Sequence, residues 1–521
     1  MNTSIITNYL IEQGEFIDES IDNELKLILN LDTTFEIKRG LRIFFKSKFP
    51  NLNSDELLQK LFPTSIEDAP EPGRISIINS YEKTPNKRSV QDFVRHFNVR
   101  FKKIENMLKN RAELSGLTGI GKLKGKNDKD KISIIGMVLE KNETKNGHII
   151  LKLEDLSGIT AVLVHKDNKE LLDIAKDLTL DEIIGVVGQS GGDIIFSSAI
   201  IHPDIPLSKE LKKSPLDNYA VFLGDMHFGS KEFLKKEFTK FLLWINGKLG
   251  TLDQRKMAKK VKYVFIVGDL IEGAGIYPGQ ENDLEIQSVR GQYEKMSYYL
   301  SKIPKHMKII ICPGNHDVGR IAEPQLPLDK EYSKSVWDLP NVILVSNPAT
   351  VSIDVTENFS GIDVLMYHGY SMIYYSDAIE SIRAAGGQKV SDDIMIYLLK
   401  RRHLAPTHGS TLYIPDIHED AAVIDPIPDI FATGHIHRAQ SKKYRNVTCI
   451  SSSCWTQITE DQEKRGLEPQ PARAIIVSLK TREVKIMNFN SGKDATTVSQ
   501  LKQNQQEEKD KADKKKEETT K

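Results

Sequence analysis

Cysteine is scarce in this chain: Cys312, Cys449 and Cys454 are the only three in 521 residues. Three thiols build no disulfide framework, which fits a reducing cytosol. Neither charge is in excess, with 72 Lys and Arg against 72 Asp and Glu. That balance excludes a protein that coats nucleic acid by bulk electrostatics, though not a local polyanion site. No run of about 18 apolar residues occurs, so neither a membrane span nor a membrane partner is expected. The opening MNTSIITNYLIEQGEF lacks the basic region and long apolar stretch of a secretory signal. These absences together predict a cytoplasmic protein. What is present is ordinary for a globular protein: 39% hydrophobic and 28% charged residues. The length allows about three or four domains.

The patterning predicts a multi-domain α+β chain. Residues 1–66 read as helical, with Ile11, Leu25, Leu27, Ile28 and Leu29 in apolar stripes and Asn53-Ser54-Asp55 capping a last helix. The Pro and Gly content of Asp68–Arg74 makes 67–88 a linker. Over 89–115, Ser89 reads as an N-cap with Asp92 three residues on, and Val90, Phe93, Val94, Phe97, Phe101, Ile104 and Leu108 recur at helical spacing. The opposite face is basic (Arg95, Arg100, Lys102, Lys103, Lys109, Arg111). It is either a solvated face or a docking surface for nucleic acid or a partner. Residues 128–205 run as three strands, a short helix and two strands, the order of an OB-fold barrel. Phe196 is its only aromatic, and a stacking platform for bases needs more, so the barrel reads as a docking module. Residues 215–490 alternate short apolar runs with helical stretches, as in a layered α/β domain. The final segment, 493–521, is Lys, Glu, Gln, Asp and Thr with almost nothing to bury and is expected to be a disordered tail.

Chemistry concentrates at five strand ends in the α/β domain. YAVFLGDMHFGS carries Asp225 and His227; YVFIVGDLIEG carries Asp269; KIIICPGNHD carries Asn315, His316 and Asp317; VLMYHGYS carries His368; DIFATGHIHRA carries His435 and His437. Open α/β sheets build their sites at such edges. Asp, Asn and His in this ratio suit two divalent metal ions, manganese, iron or zinc rather than magnesium alone. Seven ligands serve two pockets if one carboxylate bridges, and Asp269, central in the set, fits that place. Gly224, Gly268, Gly314, Gly369 and Gly434 stand beside these residues, where tight turns or close approach to an anion need them. His306 reads as a surface residue, whereas His403, His408 and His418 are candidates for lining a substrate cleft.

The ordered set D-x-H, GD, GNHD, HG and GHxH resembles the calcineurin-like metallophosphoesterases over residues 217–490. Longer stretches narrow the likeness: GDLIEGAGIYPGQ (268–280), GNHDVGRIAEPQLP (314–327), LKRRHLAPTHG (399–409) and SSSCWTQITEDQEKRGLEPQPA (451–472). These resemble the small subunits of archaeal family D DNA polymerases, relatives of the eukaryotic B subunits that have lost the metal ligands. The resemblance implies an α/β/β/α phosphoesterase sandwich behind the helical region and the barrel. It implies that Asp225, His227 and His437 hold one metal, that Asn315, His368 and His435 hold the other, and that Asp269 bridges. His316 is implied to serve the leaving 3′ oxygen, with Asp317 orienting it. Arg320 and His408 are candidate substrate contacts, Arg320 with an interdomain salt bridge as its alternative. The implied activity is a metal-dependent 3′–5′ DNA exonuclease, with manganese as the first choice of ion. The implied partners are DNA, the large polymerising subunit, and the sliding clamp through the holoenzyme. A free-standing phosphodiesterase or repair nuclease, and a non-catalytic scaffold, are the alternatives.

Overall fold

The computed structural model describes residues 73–490 except 84–86, 126–127, 459–461 and 463–465, with scattered residues between 6 and 49. The expected tail at 493–521 and most of the expected helical region lie outside the described residues. Met1–Pro72 and Gly73–Lys521 form separate compact units. In the first, Ile6, Leu10, Leu25, Leu41, Phe44, Phe45 and Phe49 bury one another, with Ile21 and Ile28 packed against them.

The second unit begins with a correction. Residues 74–80, expected within a linker, form strand β1 (Arg74–Ser80), which pairs antiparallel with a strand at Ala349–Val355. The turn signals around Pro70 and Pro72 obscured a short strand whose partner is distant in sequence. Gly73 permits the approach, since a Cβ there would sit 2.4 Å from the Asp354 backbone. Helix α1 (Val90–Lys109) follows. It is capped as expected, the Asp92 carboxylate accepting from the Ser89 amide at 2.8 Å. Its Phe101, Ile104 and Leu108 pack on Leu114, Ile135, Ile183 and Val187 of the barrel. The basic face is not uniform. Arg100 is buried and its Nε donates to Asp420 at 2.6 Å, while Val90 and Val94 of the apolar stripe are exposed.

The barrel consists of β2 (Lys131–Glu143), β3 (Ile149–Asp155), β4 (Gly158–Val164), helix α2 (Lys169–Lys176), β5 (Ile183–Ser190) and β6 (Ile194–Ile201). It closes in the order β2-β3-β4-β6-β5, with β4 parallel to β6. Asn168 caps α2 by accepting from the Leu171 amide.

Beyond the barrel come β7 (Tyr219–Leu223), α3 (Lys235–Ile245), α4 (Leu252–Lys259), β8 (Val261–Val267), α5 (Val289–Leu300), β9 (Lys308–Cys312), α6 (Lys330–Trp337) and β10 (Val342–Leu344). They are followed by β11 (Ala349–Val355), β12 (Ile362–Tyr367), α7 (Met372–Ala378), α8 (Glu380–Ala385), α9 (Ser391–Arg401), β13 (Ile430–Thr433), β14 (Gln440–Tyr444), β15 (Val447–Ser451), β16 (Arg473–Ser478) and β17 (Val484–Asn488). Two six-stranded sheets result, β10-β9-β8-β7-β16-β17 and β1-β11-β12-β13-β15-β14. Side-chain alternation along β7 shows how they stack. Ala220 and Phe222 face Val351, Ile353, Val364 and Ile430 of the second sheet. Val221 and Leu223 face outward into Phe238, Phe241 and Trp244 of α3. On the far side, Leu365 and Phe431 pack on Tyr375, Ile394 and Leu398 of α7 and α9. The layers are therefore helix, sheet, sheet, helix.

A buried ionic joint ties the barrel to the helical layer. Glu182, just ahead of β5, accepts from Arg401 Nε at 2.8 Å and from the Tyr397 hydroxyl at 2.6 Å, both on α9. Arg401 also donates to the Asp177 carbonyl at 3.0 Å.

Candidate metal centre

Strands β7, β8 and β9 run parallel, as do β12 and β13. Their C-terminal ends deliver Asp225, His227, Asp269, Asn315, His316, His368, His435 and His437 to one region. The backbone there is held in an uncommon conformation. Asp225, His227, Asp269, His435 and His437 all have positive φ, from 49 to 69°. Such conformations cost of order 1–3 kcal/mol each and persist where the surroundings over-determine them. Two glycines make the crowding possible. A Cβ on Gly314 would lie 2.3 Å from the Asp269 carboxylate, and one on Gly434 would lie 2.7 Å from that of Asp225.

The side chains converge. Asp225, His227 and His437 present ligand atoms within 4.8 Å of one another, as do Asp269, His368 and His435. Asp269 Oδ2 lies 3.2 Å from His368 Nε2 and 4.0 Å from His227 Nε2, between the two groups. Asn315 Oδ1 is 3.0 Å from His368 Nε2. The Nδ1 of His368 is engaged by the Val267 carbonyl at 3.0 Å, which leaves its Nε2 to face the cluster. His227 Nε2 and His437 Nε2 face each other at 3.4 Å. His435 Nε2 is buried with no hydrogen-bond partner among the described residues. A partnerless buried imidazole nitrogen beside buried carboxylates is a donor set that fits a divalent cation.

Charges in the cluster lean on one another. Burial works against ionisation of Asp269, yet His368, His316 and His227 hold its pKa well below the usual carboxylate range. Burial also opposes charging of His368, but Asp269 lifts it to about 9. His435 is pushed down to about 3 by burial, with His368 adding to the effect.

The neighbours of His316 differ from expectation. Its Nδ1 meets the Glu272 carbonyl at 2.8 Å, and its amide donates to Asp269 at 2.8 Å. Asp317 does not orient the ring. Its carboxylate accepts from the amides of Gly314 at 2.9 Å and Leu270 at 3.2 Å, and from the Tyr293 hydroxyl at 3.2 Å. It pins the loop that carries Asn315 and His316. Burial, then the Asp269 charge, raises it to about 7. Arg320 forms no salt bridge; it donates to the Pro324 carbonyl from Nε at 2.8 Å and lies over the Tyr81 ring. His408 is exposed, 2.9 Å from the Tyr413 hydroxyl, and its amide donates to Asp181 of the barrel. His403 is buried against Asp420 at 2.9 Å, in the cluster that holds Arg100, rather than lining a cleft.

Sequence reasoning missed Glu272. Its carboxylate lies 3.0 Å from His227 Nδ1 while its carbonyl holds His316, and His227, Glu272 and His316 form a third group able to hold a cation. The available signal was a lone acid after the apolar pair Leu270-Ile271, three residues past Asp269. Asn347 was also missed; its side-chain oxygen accepts from the His368 amide at 2.8 Å. Outer partners of metal-binding histidines typically govern about 10–100-fold in affinity or activity. Glu272→Gln is expected to weaken manganese binding by about that factor, read by calorimetric titration, and unchanged binding would show that the carboxylate does not support His227.

Residues 220–442 match the family model for the B subunits of DNA polymerases alpha and epsilon, which puts this layered fold in the class of polymerase B subunits. Over 380 residues the chain is 39% identical to the DNA polymerase II small subunit of Methanothermobacter thermautotrophicus, covering 73% of this chain and 76% of that one. Over 469 residues it is 36% identical to the DNA polymerase II small subunit of Archaeoglobus fulgidus, covering 90% and 91%. The chain belongs to the family of archaeal DNA polymerase II small subunits.

Proposed function

We propose that this protein is a 3′–5′ DNA exonuclease that proofreads for a large polymerising partner, using a two-metal centre on a calcineurin-like sandwich. The observation that carries this reading is the position of Asp269 Oδ2 between His368 and His227, at 3.2 and 4.0 Å. A single carboxylate oxygen facing two separate ligand groups is what a bridge requires. In this reading Asp225, His227 and His437 hold one ion and Asn315, His368 and His435 the other. Manganese is favoured, with iron, zinc and magnesium as alternatives. The ions supply Lewis acidity and offset the charge of the phosphodiester.

His316 would act on the leaving group. The Glu272 carbonyl accepts a hydrogen bond, so the proton on Nδ1 is fixed there and Nε2 is the working nitrogen. As an imidazolium it gives the Nε2 proton to the 3′ oxygen while water oxygen bonds to phosphorus and the P–O3′ bond breaks. The products are a nucleoside 5′-monophosphate and a strand with a free 3′ hydroxyl. Asp317 holds the Gly314 turn and so positions His316 through the backbone. The barrel, taken as an OB-fold, serves as a docking module for the heterodimer. The partners are then DNA, the large subunit and, through the holoenzyme, the sliding clamp.

The test assays a 3′-mismatched primer with manganese, using the chain alone and with its large subunit. His316→Ala is expected to slow nucleotide release by at least about a hundredfold, the lower range for a lost general acid, with metal content unchanged. Absence of nucleotide release by the unaltered protein in both forms would defeat the reading.

A further inference from the structure

Helices α3 and α5 border an open groove of about 750 Å³ on the outer side of the first sheet. It is lined by Lys235 and Lys248 from α3 and its following turn, and by Lys295, Tyr298, Tyr299 and Lys302 from α5 and just beyond it. Positions 295, 298, 299 and 302 fall at i, i+3, i+4 and i+7, one face of a helix. No Asp or Glu lines the groove. None of its four lysines has a carboxylate partner among the described residues. In a chain with 72 positive and 72 negative side chains, four unpaired ammonium groups around one acid-free groove are a local excess that the composition conceals.

The aromatic rings narrow the choice of ligand. Tyr298 is 57% exposed, although Lys302 Nζ lies 4.2 Å from its ring centre. Tyr299 packs edge-on against it at 5.5 Å, with Lys295 over the Tyr299 ring. An exposed ring among cations offers stacking to one neighbour and charge to the next, the combination that holds unpaired bases and their phosphates. Duplex DNA keeps its bases stacked and has no use for the ring. An acidic peptide would use the lysines alone.

We propose that this groove binds single-stranded nucleic acid, with Lys235, Lys248, Lys295 and Lys302 on phosphates and Tyr298 under a base. This does not depend on the metal centre, because no groove residue is one of the converging Asp, Asn or His side chains.

The test is fluorescence anisotropy of a labelled oligothymidylate with the full chain in EDTA, so that nucleolysis and metal-bridged binding are silent. Lys295→Glu with Lys302→Glu is expected to weaken binding more than tenfold. Lys302→Ala alone should lower the salt slope of log affinity by about 0.7. Tyr298→Ala should cost at least about fivefold on the single strand and nothing on a duplex of the same length. Lys443→Glu, on exposed β14, is the charge control and should be near neutral. Circular dichroism of each variant separates lost binding from lost fold. The proposal fails if the double lysine variant binds like the unaltered chain. It also fails if Tyr298→Ala weakens duplex and single strand alike, or if polyglutamate displaces the oligonucleotide at equal charge concentration, which would point to an acidic protein partner.

Discussion

Asp269→Asn is expected to abolish nucleotide release while leaving the fold intact. Asparagine keeps the size of the side chain and one carbonyl oxygen, so packing in the 2%-exposed site changes little. It removes the negative charge that His368, His316 and His227 surround. In the proposed centre that charge serves both ions, and their contribution to hydrolysis is worth several kcal/mol, or roughly a thousandfold or more in rate. Two measurements are needed. Metal analysis should show at most one tightly held ion per chain, and the mismatched-primer assay should show no release above background. A variant with two ions and near-normal rate would sink the bridging role. Inactivity with two ions retained would instead move Asp269 from holding metal to another task in the reaction.

Arg401→Met is expected to destabilise the protein by about 3–5 kcal/mol, the typical cost of stripping a buried ion of its partner. Glu182 is 2% exposed and would face an uncharged side chain. The joint between barrel and α9 would open first, so chemical denaturation should show an earlier transition at pH 7. The sign of the pH dependence is fixed by Glu182. Burial opposes its ionisation, but Arg401 brings its pKa below the ordinary value. A depressed carboxylate contributes stability above its unfolded pKa and loses it as pH falls through the folded one. The gap between variant and unaltered protein should therefore be full at neutral pH and shrink below about pH 4. Glu182→Leu combined with Arg401→Met should recover much of the loss, since an apolar pair removes the stranded charge. A gap that persists at low pH would mean the loss comes from packing of the Arg401 stem instead.

Local features were the legible ones. The barrel could be read because each strand alternates and KNG marks its first hairpin at Lys145–Gly147. The candidate centre could be read because its residues follow directly on apolar runs, so a one-dimensional pattern carries a three-dimensional edge. Features set by distant partners were not legible. Arg100 looked like one more cation on a solvated face, and only Asp420, 320 residues away, draws it inward. Asp317 stood beside His316 in sequence, yet the turn directs its carboxylate back to the Gly314 amide. Glu272 follows an apolar pair like many loop acids; its contact with His227 arises only because two parallel strands bring their ends together.

The edge position of β1 also bears on how the chain matures on the ribosome. Ser80 aligns with Ala349, so β1 emerges about 270 residues before its partner strand. At translation rates of about 5–20 residues per second it waits roughly 15–50 s, while the barrel has long been complete. During that interval Ile77 and Ile78, still 47% and 43% exposed in the finished fold, belong to a strand with two open edges. Such a segment is a template for pairing with the wrong chain. Slow synthesis or crowded polysomes would therefore penalise this protein at its first strand, well before its candidate metal centre exists.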